Sequence, residues 1–126
     1  MADIVRDVFL AFVRVHLLHH AVEKPIYGVE MMEELSRHGY KLSPGTLYPI
    51  FAGLVEAGFL RSDAVVVEGK VRKYYSITSG GRKALAEFKE KIRELVGEAL
   101  YGEGEPQGKI KTRQGADGRA LARKQN

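Results

Sequence analysis

The feature that most constrains this chain is a pair of helix punctuation marks near its middle, Gly39 and then Ser43–Pro44. A glycine just past a helix accepts the left-handed conformation that closes it, while serine suits the N-cap and proline the first position of a new helix. The stretch YGVEMMEELSRHG at 27–39 places Gly28, Met31, Met32 and Leu35 on one side, as an amphipathic helix should. Two helices joined by a tight turn therefore sit at the centre of the chain.

The second of these helices is unusual, because LSPGTLYPIF at 42–51 holds Pro44, Gly45 and Pro49, with Gly53 soon after. A helical projection of 43–57 gathers Leu47, Ile50, Phe51 and Leu54 on a core face, with Val55 at its edge. The opposite face carries Gly45, Pro49, Ala52 and Glu56, flanked by Thr46, Gly53 and Tyr48. An interior proline costs about 3 kcal/mol, since it removes a donor and crowds the carbonyl four residues back. Here that residue is Gly45, whose missing Cβ eases the crowding. Something still has to offset the remainder. A bare helix tip at Ser43, Pro44 and Gly45 brings its amides close to a phosphate or groove wall, with Thr46 and Tyr48 offering hydroxyls. The plainer alternative is that Pro44 and Gly45 only start the helix and Pro49 only kinks it.

Residues 3–23, DIVRDVFLAFVRVHLLHHAVE, form a helix that Pro25 ends. Its apolar surface, including Ile4, Val5, Val8, Phe9, Phe12, Val13, Leu17 and Leu18, is wider than one small core requires. A second surface, such as a partner subunit, is expected to cover Val8 and Phe12. Residues 59–67 and 71–77 are rich in β-branched and aromatic types around Glu68–Gly69, the pattern of a hairpin with Lys70, Arg72 and Lys73 at its tip. Alternation sets Val71, Lys73, Tyr75 and Ile77 on one face, with Tyr75 in the core. Thr78 caps a last helix to about Tyr101, in which Leu85, Phe88, Ile92, Leu95 and Ala99 recur at coiled-coil steps and suggest a dimer seam. Glu87 with Lys91 and Glu90 with Arg93 can pair along its wet side.

At 126 residues and 44% hydrophobic composition the chain can bury one modest core. It has no cysteine, which excludes disulfides and thiolate metal sites. No apolar run is long enough to span a bilayer and no leader pattern opens the chain, so a cytoplasmic protein without membrane attachment is expected. The formal charge of +4 is concentrated late: residues 1–101 hold 14 Lys/Arg against 13 Asp/Glu, and residues 102–126 hold 6 against 3. That last segment has Ile110 and Leu121 as its only large aliphatics and reads as a flexible basic tail, whose Lys109, Lys111, Arg113, Arg119, Arg123 and Lys124 could track DNA nonspecifically.

His16, His19 and His20 share one helix, yet the sequence offers them no neighbouring ligand beyond Glu23, and metal sites want three or four. They are read as a polar stripe or as interface residues, with no metal and no cofactor. Met31, Met32, Phe9, Phe12 and Phe88 are read as core or interface. No phosphate-binding glycine loop, nucleophile elbow or acidic pair appears, so no enzyme is expected.

The order helix, helix-turn-helix, hairpin, helix is the winged helix-turn-helix plan, in which the second helix of the motif enters the major groove. SPGTLYPIFAGLVEAGFL at 43–60, GKVRKYYSITSGGRKAL at 69–85 and IYGVEMMEEL at 26–35 together resemble the PadR family of transcriptional regulators, over roughly residues 5–100. The resemblance implies a homodimer that reads a pseudo-palindromic operator in double-stranded DNA, usually as a repressor, and belongs with the shorter branch that has a single C-terminal helix. It also implies a small-molecule effector, for which Phe12 and Phe88 could line a site, although no tryptophan is present to sandwich a flat ligand.

The expected organisation is therefore mainly α with a small β-hairpin: a winged helix-turn-helix DNA-binding domain over 1–77, a dimerisation helix over 78–101 and the tail over 102–126. The DNA-contacting set is Ser43, Pro44, Gly45, Thr46, Tyr48, Lys70, Arg72 and Lys73. The dimerisation set is Val8, Phe12, Leu85, Phe88, Ile92, Leu95 and Ala99. Ala52 and Gly53 stand where the family commonly carries Lys or Arg, which leaves little for bidentate guanine contact. The alternatives are a winged-helix protein-interaction module that has lost DNA readout, or a small-molecule sensor.

Overall fold

The structure, a computed structural model, describes residues 3–102. The tail reading, apart from Gly102, lies outside the described residues. The chain divides into two units, residues 1–86 and 87–126, and the division falls inside the last α-helix.

The first unit begins with α1, Ile4–Glu23, whose N-cap Asp3 accepts a hydrogen bond from the Arg6 amide at 3.2 Å. Pro25 then forces an extended exit, and β1, Ile26–Tyr27, follows at once. Next come α2, Gly28–Arg37, and α3, Pro44–Glu56. The hairpin strands are β2, Leu60–Val67, and β3, Lys70–Ile77; α4, Ser79–Val96, closes the order.

The turn between α2 and α3 is built as the sequence requires. Gly39 has φ of +90°, its amide donates to Ser36 O, and the Tyr40 amide donates to Leu35 O at 2.9 Å. These two bonds make a Schellman closure. Ser43 does occupy the N-cap, but its hydroxyl caps no amide and instead donates to Thr46 Oγ1 at 3.4 Å. Thr78 Oγ1, by contrast, accepts the Gly81 amide at 2.9 Å and caps the helix that follows.

The hairpin turns through Glu68 and Gly69, both at positive φ, which is the type I′ geometry that matches strand twist. The sheet has three strands, in the order β1-β3-β2, because Ile26 pairs with Tyr75 and Tyr27 with Tyr74. That third strand is an addition to the expected hairpin. Two residues are too few to show a period.

The core joins Val13, Leu17 and Leu18 of α1, Ile26, Met31 and Leu35, and Leu47, Ile50, Phe51 and Leu54 of α3. Phe51 stacks on Tyr75 with ring centroids 4.1 Å apart and planes 5° from parallel, a contact worth about 0.5–1.5 kcal/mol beyond burial. Burial pushes the Tyr75 hydroxyl above its ordinary pKa. Ala84 and Leu85 complete this core. Leu85, expected in a dimer seam, is only 3% exposed within its own chain, so it belongs to the interior. The first half of α1 stays outside: Val8 is 46% and Phe12 38% exposed.

The second unit is described over residues 87–102. It continues α4 to Val96 and ends in a π-helical turn, Gly97–Tyr101. Arg93 pairs with Glu90 at 2.6 Å as expected, but Lys91 pairs with Glu94 at 3.8 Å rather than with Glu87. Phe88 and Ile92 are half-buried, Ala99 is exposed, and Leu95 is 61% and Leu100 68% exposed. No helix among the described residues is long and apolar enough to cross a membrane.

Candidate nucleic-acid interface

The helical period of α3 buries Leu47, Ile50, Phe51 and Leu54, and so turns Pro44, Gly45, Tyr48, Pro49, Ala52 and Gly53 outward. Among the described residues, neither Gly45 nor Gly53 crowds anything: a Cβ at Gly45 would meet only Ser43 Oγ at 3.7 Å, and one at Gly53 nothing within 4 Å. The outer face of the helix is bare and carries no cation. Its first amides are partly satisfied, since Thr46 and Leu47 both donate to Ser43 O. Pro44 has no donor, which leaves the Gly45 N–H as the amide of the tip without an acceptor among the described residues.

Beside this helix runs a groove of about 410 Å³, lined among others by Tyr27, Gly28, Tyr48, Lys70, Arg72 and Lys73. Four of the eight residues expected to touch DNA therefore meet in one place. Ser43, Pro44, Gly45 and Thr46 lie outside it, at the helix tip, and Thr46 is half-buried with its hydroxyl engaged by Ser43.

Two members of the expected set are less free than the sequence suggests. Tyr48 leans back over the start of α2: a Cβ at Gly28 would lie 2.1 Å from its hydroxyl oxygen, so only glycine leaves room for it there. The ring is still 41% exposed. Arg72 lies over the Tyr27 ring, 4.2 Å from its centroid, and donates to the Tyr74 hydroxyl at 3.3 Å. That hydrogen bond favours the charged guanidinium and raises its pKa. Its cation is held on the sheet rather than at a tip. Lys70 and Lys73 are exposed, as are Val65, Val66 and Val71 of the wing, three apolar residues outside the expected set.

The remaining cluster of note is on the far end of α2. His16 and His20 of α1 stand beside His38, the C-cap of α2, with the His16 and His38 rings stacked at 4.9 Å. Glu34 Oε2 lies 3.1 Å from His38 Nε2 and 3.5 Å from His20 Nε2, and Arg37 bonds the other carboxylate oxygen. Burial first, and then the neighbouring histidines, hold His16 below its ordinary pKa. The hydrogen bond to His38 holds Glu34 below its own. Sequence reading finds His16 and His20 but not His38, the C-cap of α2, or Glu34 within that helix.

The model of the PadR-like family of transcriptional regulators matches residues 17–87, which takes in the end of α1, the helix-turn-helix, the wing and the start of α4. The chain belongs to the PadR-like family. A curated relative, transcriptional regulator Rv3488 of Mycobacterium tuberculosis, is 44% identical over 103 residues, covering 82% of this chain and 96% of the relative. Among solved structures, a transcriptional regulator from Clostridium thermocellum is 30% identical with a TM-score of 0.65, covering 75% of this chain and 94% of that one. A PadR family transcriptional regulator from Eggerthella lenta is 32% identical with a TM-score of 0.58, covering 78% and 93%. This PadR-like chain is thus a winged-helix transcriptional regulator.

Proposed function

We propose that the protein binds duplex DNA as a homodimer on a pseudo-palindromic operator and acts as a repressor. The observation that carries this reading is the shared groove, in which Tyr48 of α3 faces Lys70 and Lys73 of the wing beside a helix face without bulky side chains. Lys70 and Lys73 neutralise phosphates, the Gly45 N–H at the tip of α3 adds a donor, and the small outer face lets the helix sit deep. The helix itself brings no cation, so affinity rests largely on backbone contacts and specificity on shape and a few hydroxyls.

Dimerisation is supported by two apolar surfaces, each within its own unit. Ile4, Val5, Val8, Phe9 and Phe12 on α1 are 74%, 62%, 46%, 53% and 38% exposed. Leu95, Leu100 and Tyr101 are 61%, 68% and 58% exposed. Such surfaces mark association sites in soluble proteins. Two copies would present two α3 helices about one helical turn of DNA apart.

Titrating salt against binding to random duplex tests the reading. A steep fall in affinity supports DNA contact. An absence of binding even at low salt supports instead the interaction-module reading, which the missing basic residues at Ala52 and Gly53 favour. Footprinting upstream of the protein's own coding region then locates a two-fold operator.

A further inference from the structure

We propose that His16, His20 and His38, with Glu34 as a fourth donor, form a binding site for a zinc-class divalent cation. One nitrogen from each of the three imidazoles can be chosen so that all lie within 4.8 Å of one another. Zinc holds nitrogen ligands at about 2.0–2.1 Å, so its tetrahedral ligands stand about 3.4 Å apart. Closing the remaining gap requires the His16 and His38 rings to turn out of their stack, so that the in-plane lone pairs of both aim at one point. His16 and His20 are one turn apart on α1 and point the same way, the helical spacing used for paired imidazole ligands. The third comes from the C-cap of α2, the kind of non-local closure that makes a site rather than a chelating pair.

The chemistry of the donors selects the ion. Three neutral imidazoles and one carboxylate suit zinc and its neighbours, and they do not suit magnesium or calcium, which require oxygen ligands. Glu34 Oε2 lies within reach of two of the three rings, so a negative charge already stands beside the His20 and His38 nitrogens. The only cation against the cluster, among the described residues, is Arg37, which contacts Glu34 and is 65% exposed at its side chain, so it can swing into water when a metal takes its place. The ring of Tyr40, 5.4 Å from His16, forms a wall on one side. A bound ion would fasten α1 to the end of α2, just before the turn that leads into α3.

The test uses the full-length chain, stripped with EDTA and titrated calorimetrically with Zn²⁺ alone. The expected result is one ion per chain. His16→Gln, His20→Gln, His38→Gln and Glu34→Gln should each weaken binding by about 10–100-fold or more, since even loss of an orienting partner has that effect. His19→Gln should bind as the parent does, because His19 is the one histidine outside the cluster. Metal-free thermal melts of each variant, matched to the parent's, show that weakened binding is not failed folding. Substituting Co²⁺ adds a visible spectrum of tetrahedral type. Parent-like affinity in any of the four variants, or no binding at micromolar Zn²⁺, overturns the proposal.

Discussion

Replacing Pro49 by alanine should make the protein more stable, although it alters the helix expected to face DNA. Pro49 lies inside α3 and is exposed, so alanine opens no core cavity. The new amide can donate to the Gly45 carbonyl, a bond worth about 0.5–1.5 kcal/mol net. Removing the ring also relieves its clash with that carbonyl, and the two effects together are bounded by the penalty of about 3 kcal/mol for an interior proline. Against them stands the unfolded chain, which gains about 0.4–1 kcal/mol of freedom when proline is removed. The balance is a gain of about 1–2 kcal/mol, or about 4–16 °C in Tm for a domain of this size. Urea unfolding followed by helix circular dichroism measures it, with an unchanged slope required for the comparison. A midpoint equal to or below the parent's would refute the reasoning, because it would mean that the ring makes favourable contacts that offset the missing hydrogen bond.

Gly45→Leu should change stability by less than about 1 kcal/mol, since a Cβ there meets only Ser43 Oγ at 3.7 Å. Its affinity for duplex should nevertheless fall about tenfold or more, because a misplaced tip forfeits at least one charge-assisted hydrogen bond; unchanged affinity in a gel-shift titration would remove the tip from the interface. The double change Lys70→Ala and Lys73→Ala should lower the slope of log affinity against log salt by about 0.9 for each phosphate no longer neutralised, equally on all sequences. An unaltered slope would show that the wing touches no phosphate. Gly81→Ala should destabilise by about 1–3 kcal/mol despite alanine's better helix propensity, because its Cβ would lie 2.1 Å from the Phe59 carbonyl oxygen, a backbone atom that cannot swing aside. A thermal melt at or above the parent's would contradict that packing.

What could be read from the sequence followed from local rules. The Gly39 closure, the Ser43–Pro44 start and the inward face of α3 depend on residues within a turn or two of each other, and all three appear where the sequence places them. Glu68–Gly69 could be read for the same reason. The departures arise where distant residues meet. Leu85 looks like the first residue of a seam by spacing, yet the first turns of α4 pack on the core and bury it. The sequence likewise does not reveal that His16 and His20 of α1 stand beside His38 and Glu34, which belong to the C-cap and last turns of α2.

The wing shows how one missed element propagates. β1 is two residues long and has no periodic signature, so its pairing with β3 could not be anticipated. That pairing puts Tyr27 opposite Tyr74, and it is between these two rings that Arg72 finds a stacking surface and a hydroxyl acceptor. Without β1, Arg72 is one of three similar cations on a hairpin; with it, Arg72 becomes part of the sheet's own packing and leaves Lys70 and Lys73 as the exposed pair. Tyr48 follows the same logic, since the residue that begins α2 directly after β1 is Gly28, and its lack of a side chain gives the tyrosine its place. The groove between wing and α3 is thus shaped by a two-residue strand, so the stiffness of its floor depends on a pairing that sequence periodicity cannot reveal.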